Sequence, residues 1–251
     1  MTALLSVDRL SKRFGGLTVV HELSFEVAEG DAVGIVGPNG AGKTTLLNLV
    51  AGDLRADSGS VVLDGVDVTR RPAHVRCHLG IGRTSQIPRP FEGLTVFENV
   101  LVGSTFGSGS TRRTSRSATD SSAETTAVAA LERVGMLSRA NTPAGALTLL
   151  ERKRLELARA LATEPRLLLL DEIAGGLTEA EVLELVATIR GIRETGIAVV
   201  WIEHIVHALL RVVDRMIAVD FGRKLIEGPP AEVMASEEVR SVYLGEDIEV
   251  T

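Results

Sequence analysis

Hydrophobic and polar residues alternate over Leu4 to Leu10, Leu23 to Val27 and Ser60 to Leu63, the period of half-buried strands, with Gly15-Gly16, Glu29-Gly30 and Asp64-Gly65 as turns between or after them. The N-terminal fifth therefore reads as strand-rich. Asp31 to Val36 is a short apolar run entering a glycine-rich turn, and Gly42 to Ala51 beyond it is good helix sequence. Strand, loop and helix in that order make half of a parallel α/β unit. Leu167 to Leu170, Ile197 to Ile202 and Met216 to Val219 have the length and aliphatic or β-branched content of buried parallel strands, and the amphipathic stretch Glu179 to Arg193 predicts a crossover helix between the first two. Glu124 to Val134 and Glu151 to Ala162 predict helices of a separate lobe, the second ending before Glu164-Pro165. From Ser104 to Ser122 the pattern fails, since 11 of these 19 residues are Ser or Thr, and the stretch reads as a mobile surface loop.

The 251 residues, 45% of them hydrophobic, suit one globular domain or two closely packed lobes. A formal charge of -6 gives no overall basic field, which argues against nucleic acid as a partner. The single cysteine, Cys77, cannot form an internal disulfide, and the chain shows no charged-then-apolar leader, so it reads as cytosolic. A mean hydropathy of +0.20 reflects core strands, because no stretch approaches the ~18–20 apolar residues of a membrane span. If the chain serves a membrane, it does so from outside it.

Chemistry concentrates in two places. Gly37-Pro38-Asn39-Gly40-Ala41-Gly42-Lys43-Thr44 satisfies G-x-x-x-x-G-K-[ST] between a predicted strand and a predicted helix. Its glycines let backbone N–H groups wrap a phosphate, the helix directs its positive end at the anion, Lys43 neutralises the β- and γ-phosphates, and the Thr44 hydroxyl ligates Mg²⁺. The bland alternative is a glycine-rich helix cap, but pattern and flanks both favour phosphate. In Leu167-Leu168-Leu169-Leu170-Asp171-Glu172 a buried run ends in two acids at the carboxyl edge of a strand, where open α/β sheets bind ligands. Asp171 is placed to hold magnesium through water and Glu172 to polarise a water for attack on the γ-phosphate. His74, Cys77 and His78 are loosely spaced like metal ligands but lack a fourth, and read as structural.

With these motifs in this order, nearly the whole chain resembles the ATP-binding subunit of ABC transporters. The resemblance implies an α/β P-loop NTPase of ABC type, a parallel-sheet core with an N-terminal antiparallel β subdomain (together residues 1–86 and 163–251) and an inserted helical subdomain (87–162). It implies ATP and Mg²⁺ as cofactors, with ATP contacts from Phe14, Gly37, Pro38, Asn39, Gly40, Ala41, Gly42, Lys43, Thr44, Thr45 and Asp171, and Mg²⁺ contacts from Thr44, Gln86 and Asp171. Phe14, in Lys12-Arg13-Phe14-Gly15-Gly16, is the candidate for stacking on adenine, the alternative being a core phenylalanine. Gln86 falls where the family contacts magnesium and the attacking water. His204, after Val199-Val200-Trp201-Ile202-Glu203, matches the family's γ-phosphate histidine. The catalytic set is thus Glu172, His204 and Gln86.

The phrases Arg13 to Leu17, Arg83 to Gln86, Phe91 to Val100 and Gly228 to Gly245 resemble subunits of branched-chain amino acid uptake systems, with urea or amide uptake and lipopolysaccharide-export ATPases also similar. The family signature, usually Leu-Ser-Gly-Gly-Gln, aligns on Leu147-Thr148-Leu149-Leu150-Glu151, where both glycines are leucines. In the family this segment closes on the nucleotide of a second subunit, and a side chain at Leu150 is expected to block or displace that approach. Thr148, Leu149, Leu150 and Glu151 therefore favour pairing with a different ATP-binding subunit, a heterodimer, over a homodimer. Thr178, where the family commonly has Asp or Asn, can still hydrogen-bond across a dimer but brings no negative charge. Permease subunits are the expected partners, docking on a lip of Ile87, Pro88, Arg89, Pro90 and Phe91, with a solute-binding protein involved indirectly and the chain peripheral on the inner face of the membrane. Two readings stay beside the importer: a regulatory ATP-binding clamp with little turnover, and an ABC ATPase of an export system.

Overall fold

A computed structural model describes residues 3–107 and 123–243. In chain order its elements begin with β1 (Leu5–Phe14), β2 (Leu17–Val27), β3 (Ala32–Val36), α1 (Lys43–Ala51), β4 (Ser58–Leu63) and β5 (Val66–Asp67). Next come α2 (Ala73–His78), β6 (Ile81–Arg83), α3 (Val96–Phe106), α4 (Ala123–Arg133), α5 (Leu149–Leu161), β7 (Leu167–Asp171) and α6 (Glu179–Arg193). The chain ends through β8 (Ala198–Ile202), α7 (Val206–Leu209), β9 (Arg215–Asp220), β10 (Arg223–Gly228), α8 (Pro230–Ala235) and α9 (Glu237–Tyr243). These form two compact units, one of Met1–Ala73 with Ala198–Thr251, the other of His74–Ile197.

In the first unit an antiparallel sheet runs β2-β1-β4-β5. Alternation explains it: Leu5, Val7 and Leu10 are buried on one face of β1, and Val7 pairs with Phe25 of β2. A register shift between Val7 and Leu10 accompanies the left-handed backbone of Arg9 at φ 44°. The other strands of this unit run β10-β9-β3-β8. β3 is parallel to both β9 and β8, and every residue of β3 and β8 is buried, which is why both read as continuous apolar runs rather than alternating ones.

In the second unit β6 and β7 pair in parallel, Ile81 with Leu167 and Arg83 with Leu169. Its helices α3, α5 and α6 start alike: Thr95, Thr148 and Thr178 are N-caps, and Glu98, Glu151 and Glu181 three residues on return the bond to the cap amide. Each box satisfies two of the amides that a helix start leaves open.

One expectation changes. Ser104, Thr105 and Phe106 belong to α3 rather than to a loop, the Ser104 and Thr105 hydroxyls finding an acceptor inside the helix at the Leu101 carbonyl. The rest of the Ser/Thr-rich stretch, 108–122, lies outside the described residues, as does the Leu244-Gly245 end of the tail phrase.

Candidate functional site

The phosphate loop joins β3 to α1 in the first unit. A Cβ on Gly37 would stand 2.0 Å from the Val219 carbonyl oxygen, and one on Gly42 2.3 Å from that of Val19, so neither of these two positions has room for a side chain. Gly42 is the N-cap of α1 in left-handed geometry at φ 95°, with no side chain capping the helix. Glycine at this position brings no capping side chain, so the helix start presents backbone alone, the kind of surface that suits an anion. Lys43 is buried, its ammonium donating to the carbonyls of Gly37 at 2.7 Å and Pro38 at 3.0 Å. Thr44 and Thr45 follow in the first turn, both half-buried.

His204 leaves the carboxyl end of β8, the parallel neighbour of β3, so loop and histidine emerge from the same edge of adjacent strands. The side chain is 56% exposed, while the Glu203 carboxylate before it is fully buried, accepts from the His204 amide at 3.1 Å and lies 3.5 Å from Nδ1. Phe14 ends β1 at a hairpin tip and is 48% exposed, which removes the core alternative; the Lys12 ammonium sits 5.5 Å from its ring centroid. Asp57 steadies the same hairpin, accepting from Lys12 Nζ at 2.9 Å and the Arg13 amide at 2.7 Å, bonds that hold its carboxyl below the ordinary 3.8.

The acids lie in the second unit. Asp171 ends β7 buried, with Arg83 Nη2 3.3 Å from its Oδ2. Glu172 follows in left-handed geometry at φ 45°, a conformation that costs about 1 kcal/mol or more for a side-chain-bearing residue and that concentrates at functional sites. Its Oε2 accepts from Gln86 Nε2 at 2.6 Å. Two residues that sequence reasoning assigned to one reaction are thus in direct contact. Nothing in the spacing of Arg83 along the sequence announces that it meets Asp171.

The lip after Gln86 is pinned from behind by residues that the sequence reading passed over. The Phe91 amide donates to Asn99 Oδ1 at 2.8 Å, Asn99 Nδ2 returns a bond to the Phe91 carbonyl at 3.1 Å, and Asn99 is itself buried. The Arg89 amide donates to Glu156 at 2.7 Å, its carbonyl accepts from Arg159 at 2.9 Å, and the Arg159 guanidinium lies 4.9 Å from the Phe91 ring centroid. Ile87 at 69% and Phe91 at 46% remain exposed on this fixed backbone.

The signature segment differs from its expectation. Thr148 caps α5, and the next two residues turn oppositely: Leu149 is 41% exposed, Leu150 only 8%. Leu149, not Leu150, is the side chain an approaching molecule meets, and its Cδ2 lies 3.2 Å from where a Cβ on Gly176 would stand. Glu151 closes the capping box, pairs with Arg139 at 2.7 Å, and has its carboxyl lowered from 4.5 chiefly by the Thr148 amide. The Thr178 hydroxyl accepts from the Glu181 amide to cap α6 and donates to the Glu181 carboxylate at 2.8 Å. The three Thr-x-x-Glu spacings were the legible signal for these helix starts. Among the described residues no group of three His, Cys, Asp or Glu could hold a metal ion.

Residues 20–175 match the ABC transporter family. The chain belongs to that family. It is an ATP-hydrolysing, nucleotide-binding subunit of a transporter, of the kind that dimerises and works with membrane permeases. Residues 223–249 of this ABC ATPase also match the branched-chain amino acid ATP-binding cassette transporter family. Among curated relatives it is 35% identical to the high-affinity branched-chain amino acid transport ATP-binding protein BraF of Pseudomonas aeruginosa, over 97% of this chain and 98% of BraF. It is also 35% identical to the lipopolysaccharide export system ATP-binding protein LptB of Acidithiobacillus ferridurans, over 100% of both chains. A nucleotide-free ATP-binding cassette from an ABC transporter superposes with a TM-score of 0.87 at 28% identity, covering 98% of this chain and 100% of the other, in keeping with an α/β P-loop NTPase fold. No helix among the described residues is long and apolar enough to cross a membrane.

Proposed function

We propose that this ABC ATPase drives import of branched-chain amino acids or similar small polar solutes from the cytoplasmic face of the membrane, with a solute-binding protein delivering cargo to the permease. The observation that carries the substrate class is the match of residues 223–249 to the branched-chain amino acid cassette family, joined to the end-to-end likeness to BraF. Uptake of labelled leucine, isoleucine and valine is to be compared between cells carrying the wild-type chain and cells carrying Lys43→Ala. Uptake that falls with the variant supports the reading; unchanged uptake together with altered surface lipopolysaccharide moves the protein to export, the role named for LptB.

In this reading the start of α1 and the backbone of Gly37 to Thr45 hold the ATP phosphates, Lys43 leaves its carbonyl partners for the β- and γ-phosphates, and Phe14 stacks on adenine. The oxygen donors Thr44, Gln86 and Asp171 suit a hard dication, so they are assigned Mg²⁺, which neutralises charge on the transferred phosphoryl when bound. Glu172 takes the proton of the attacking water once Gln86 releases it, and His204 donates toward the γ-phosphate.

The partner is proposed to be a different ATP-binding subunit. Exposed Leu149 and the carboxylate of Glu151 stand at the start of α5, where the resembling family has a glycine and a neutral glutamine in the segment that closes on its partner's nucleotide. Glu172→Gln protein is to be weighed by light scattering with and without ATP and Mg²⁺. Doubling of the mass supports a homodimer; a monomer that still binds ATP supports the heterodimer.

A further inference from the structure

Both acids at the end of β7 are held from one short stretch of chain. Gln86 Nε2 donates to Glu172 at 2.6 Å, and three residues earlier Arg83 places Nη2 3.3 Å from Asp171 Oδ2. Strand register delivers this geometry: Arg83 pairs with Leu169, and the Thr84 amide donates to the Leu169 carbonyl at 3.0 Å, so the last side chain of β6 lies level with the final residues of β7. The Asp171 side chain is 1% exposed and that of Arg83 22%, a pair largely shielded from solvent, where charges act on one another far more strongly than at a surface.

We propose that Arg83 is a positioning residue for the nucleotide's divalent cation: its guanidinium shares the Asp171 carboxylate with that cation and so sets how much Mg²⁺ strengthens nucleotide binding. This rests on the assignment of Asp171 to the metal made above. An arriving dication meets a carboxylate whose charge is already partly balanced and a fixed positive charge beside it, and like charges at this range repel. Arg83 therefore weakens the contribution of the metal, which makes nucleotide binding less dependent on Mg²⁺ and release of the metal easier. Orientation of Asp171 does not depend on the arginine alone, because all five residues of β7 are buried and the strand is fixed by its pairing.

The test uses the full chain and reads binding rather than turnover. Trp201, the single tryptophan, is fully buried on β8 in register with Gly34 of β3, the strand that enters the phosphate loop, and serves as an intrinsic probe beside a fluorescent ATP analogue. ATP dissociation constants are measured in excess EDTA and in saturating Mg²⁺, and their ratio gives the strengthening due to the metal. Arg83→Gln, which keeps a donor and loses the charge, is expected to raise that ratio about fivefold, while Arg83→Lys stays within about twofold of wild type. Arg83→Met removes charge while keeping an apolar stem and is expected to match Arg83→Gln; it decides the matter if the glutamine variant does not fold by circular dichroism. A ratio unchanged or lowered in a folded charge-removing variant, with affinity in EDTA intact, overturns the proposal. An Asp171→Asn chain that folds and keeps the wild-type ratio overturns instead the assignment of Asp171 to the metal.

Discussion

Thr148 and Glu151 hold the start of α5 by two separable means, and replacing each by alanine distinguishes them. Thr148 Oγ1 accepts from the Glu151 amide at 3.3 Å, a bond between groups that stay neutral across the acid range. Thr148→Ala removes it at a cost of about 1 kcal/mol, which for a chain of this size lowers the thermal midpoint by about 2–4 °C. The Glu151 carboxylate accepts from the Thr148 amide at 2.9 Å and pairs with Arg139, whose side chain is 48% exposed. Its loss in Glu151→Ala costs about 0.5–1 kcal/mol at pH 7, given how little an exposed pair contributes. The pH dependence separates the two. The Glu151 carboxyl sits below its ordinary 4.5 chiefly through the Thr148 amide, with burial opposing and Arg139 assisting. A lowered carboxyl stabilises the fold fully above the unfolded value and loses that contribution as pH falls through the folded one. Thermal unfolding followed by circular dichroism should therefore show the Thr148→Ala deficit persisting from pH 7 into acid and the Glu151→Ala deficit shrinking as pH falls below 4.5 and through the lowered carboxyl. A Thr148→Ala deficit that collapses in acid, or a Glu151→Ala deficit that survives there, refutes the account.

Glu172→Gln should lower ATPase by about a hundredfold or more while ATP binding, read by fluorescence, is kept; comparable turnover would remove Glu172 from the chemistry. Gly42→Ala should abolish ATP binding in a chain that still folds, because its Cβ would meet the Val19 carbonyl at 2.3 Å and the N-cap would have to leave φ 95°; retained affinity would show that the loop can yield. Cys77, whose thiol is pushed up from 9.0 by burial against the weaker pull of a Thr163 hydrogen bond, should react with a disulfide reagent at pH 7 more slowly than the same cysteine in urea, and equal rates would contradict its burial. Pro88→Gly should leave ATPase in place and reduce transport if the pinned lip carries force to the permease; unchanged transport would remove the lip from that role.

What the sequence determined by itself was whatever is contiguous. The phosphate loop is a single run flanked by its own strand and helix, and the acids end their own strand, so pattern and context lie within a few residues of each other. The buried strands Ala32–Val36 and Leu167–Asp171 and the helix Glu179–Arg193 were legible for the same reason: burial on both faces, or on one helical face, writes itself directly into the apolar pattern. α3 was not legible as a helix from its pattern, because two of its four buried residues are Asn99 and Ser104, placed inward to satisfy the backbone of the lip and of the helix itself. Only the tertiary structure decided which leucine of the signature faces outward, since that depends on where Thr148 starts the helix and on what α5 packs against. Only it brought Arg83 to Asp171 and Gln86 to Glu172 across 88 and 86 residues of chain. Such contacts follow from the register of two parallel strands, and register is fixed by the burial and hydrogen bonding of the whole sheet rather than by any spacing along the sequence.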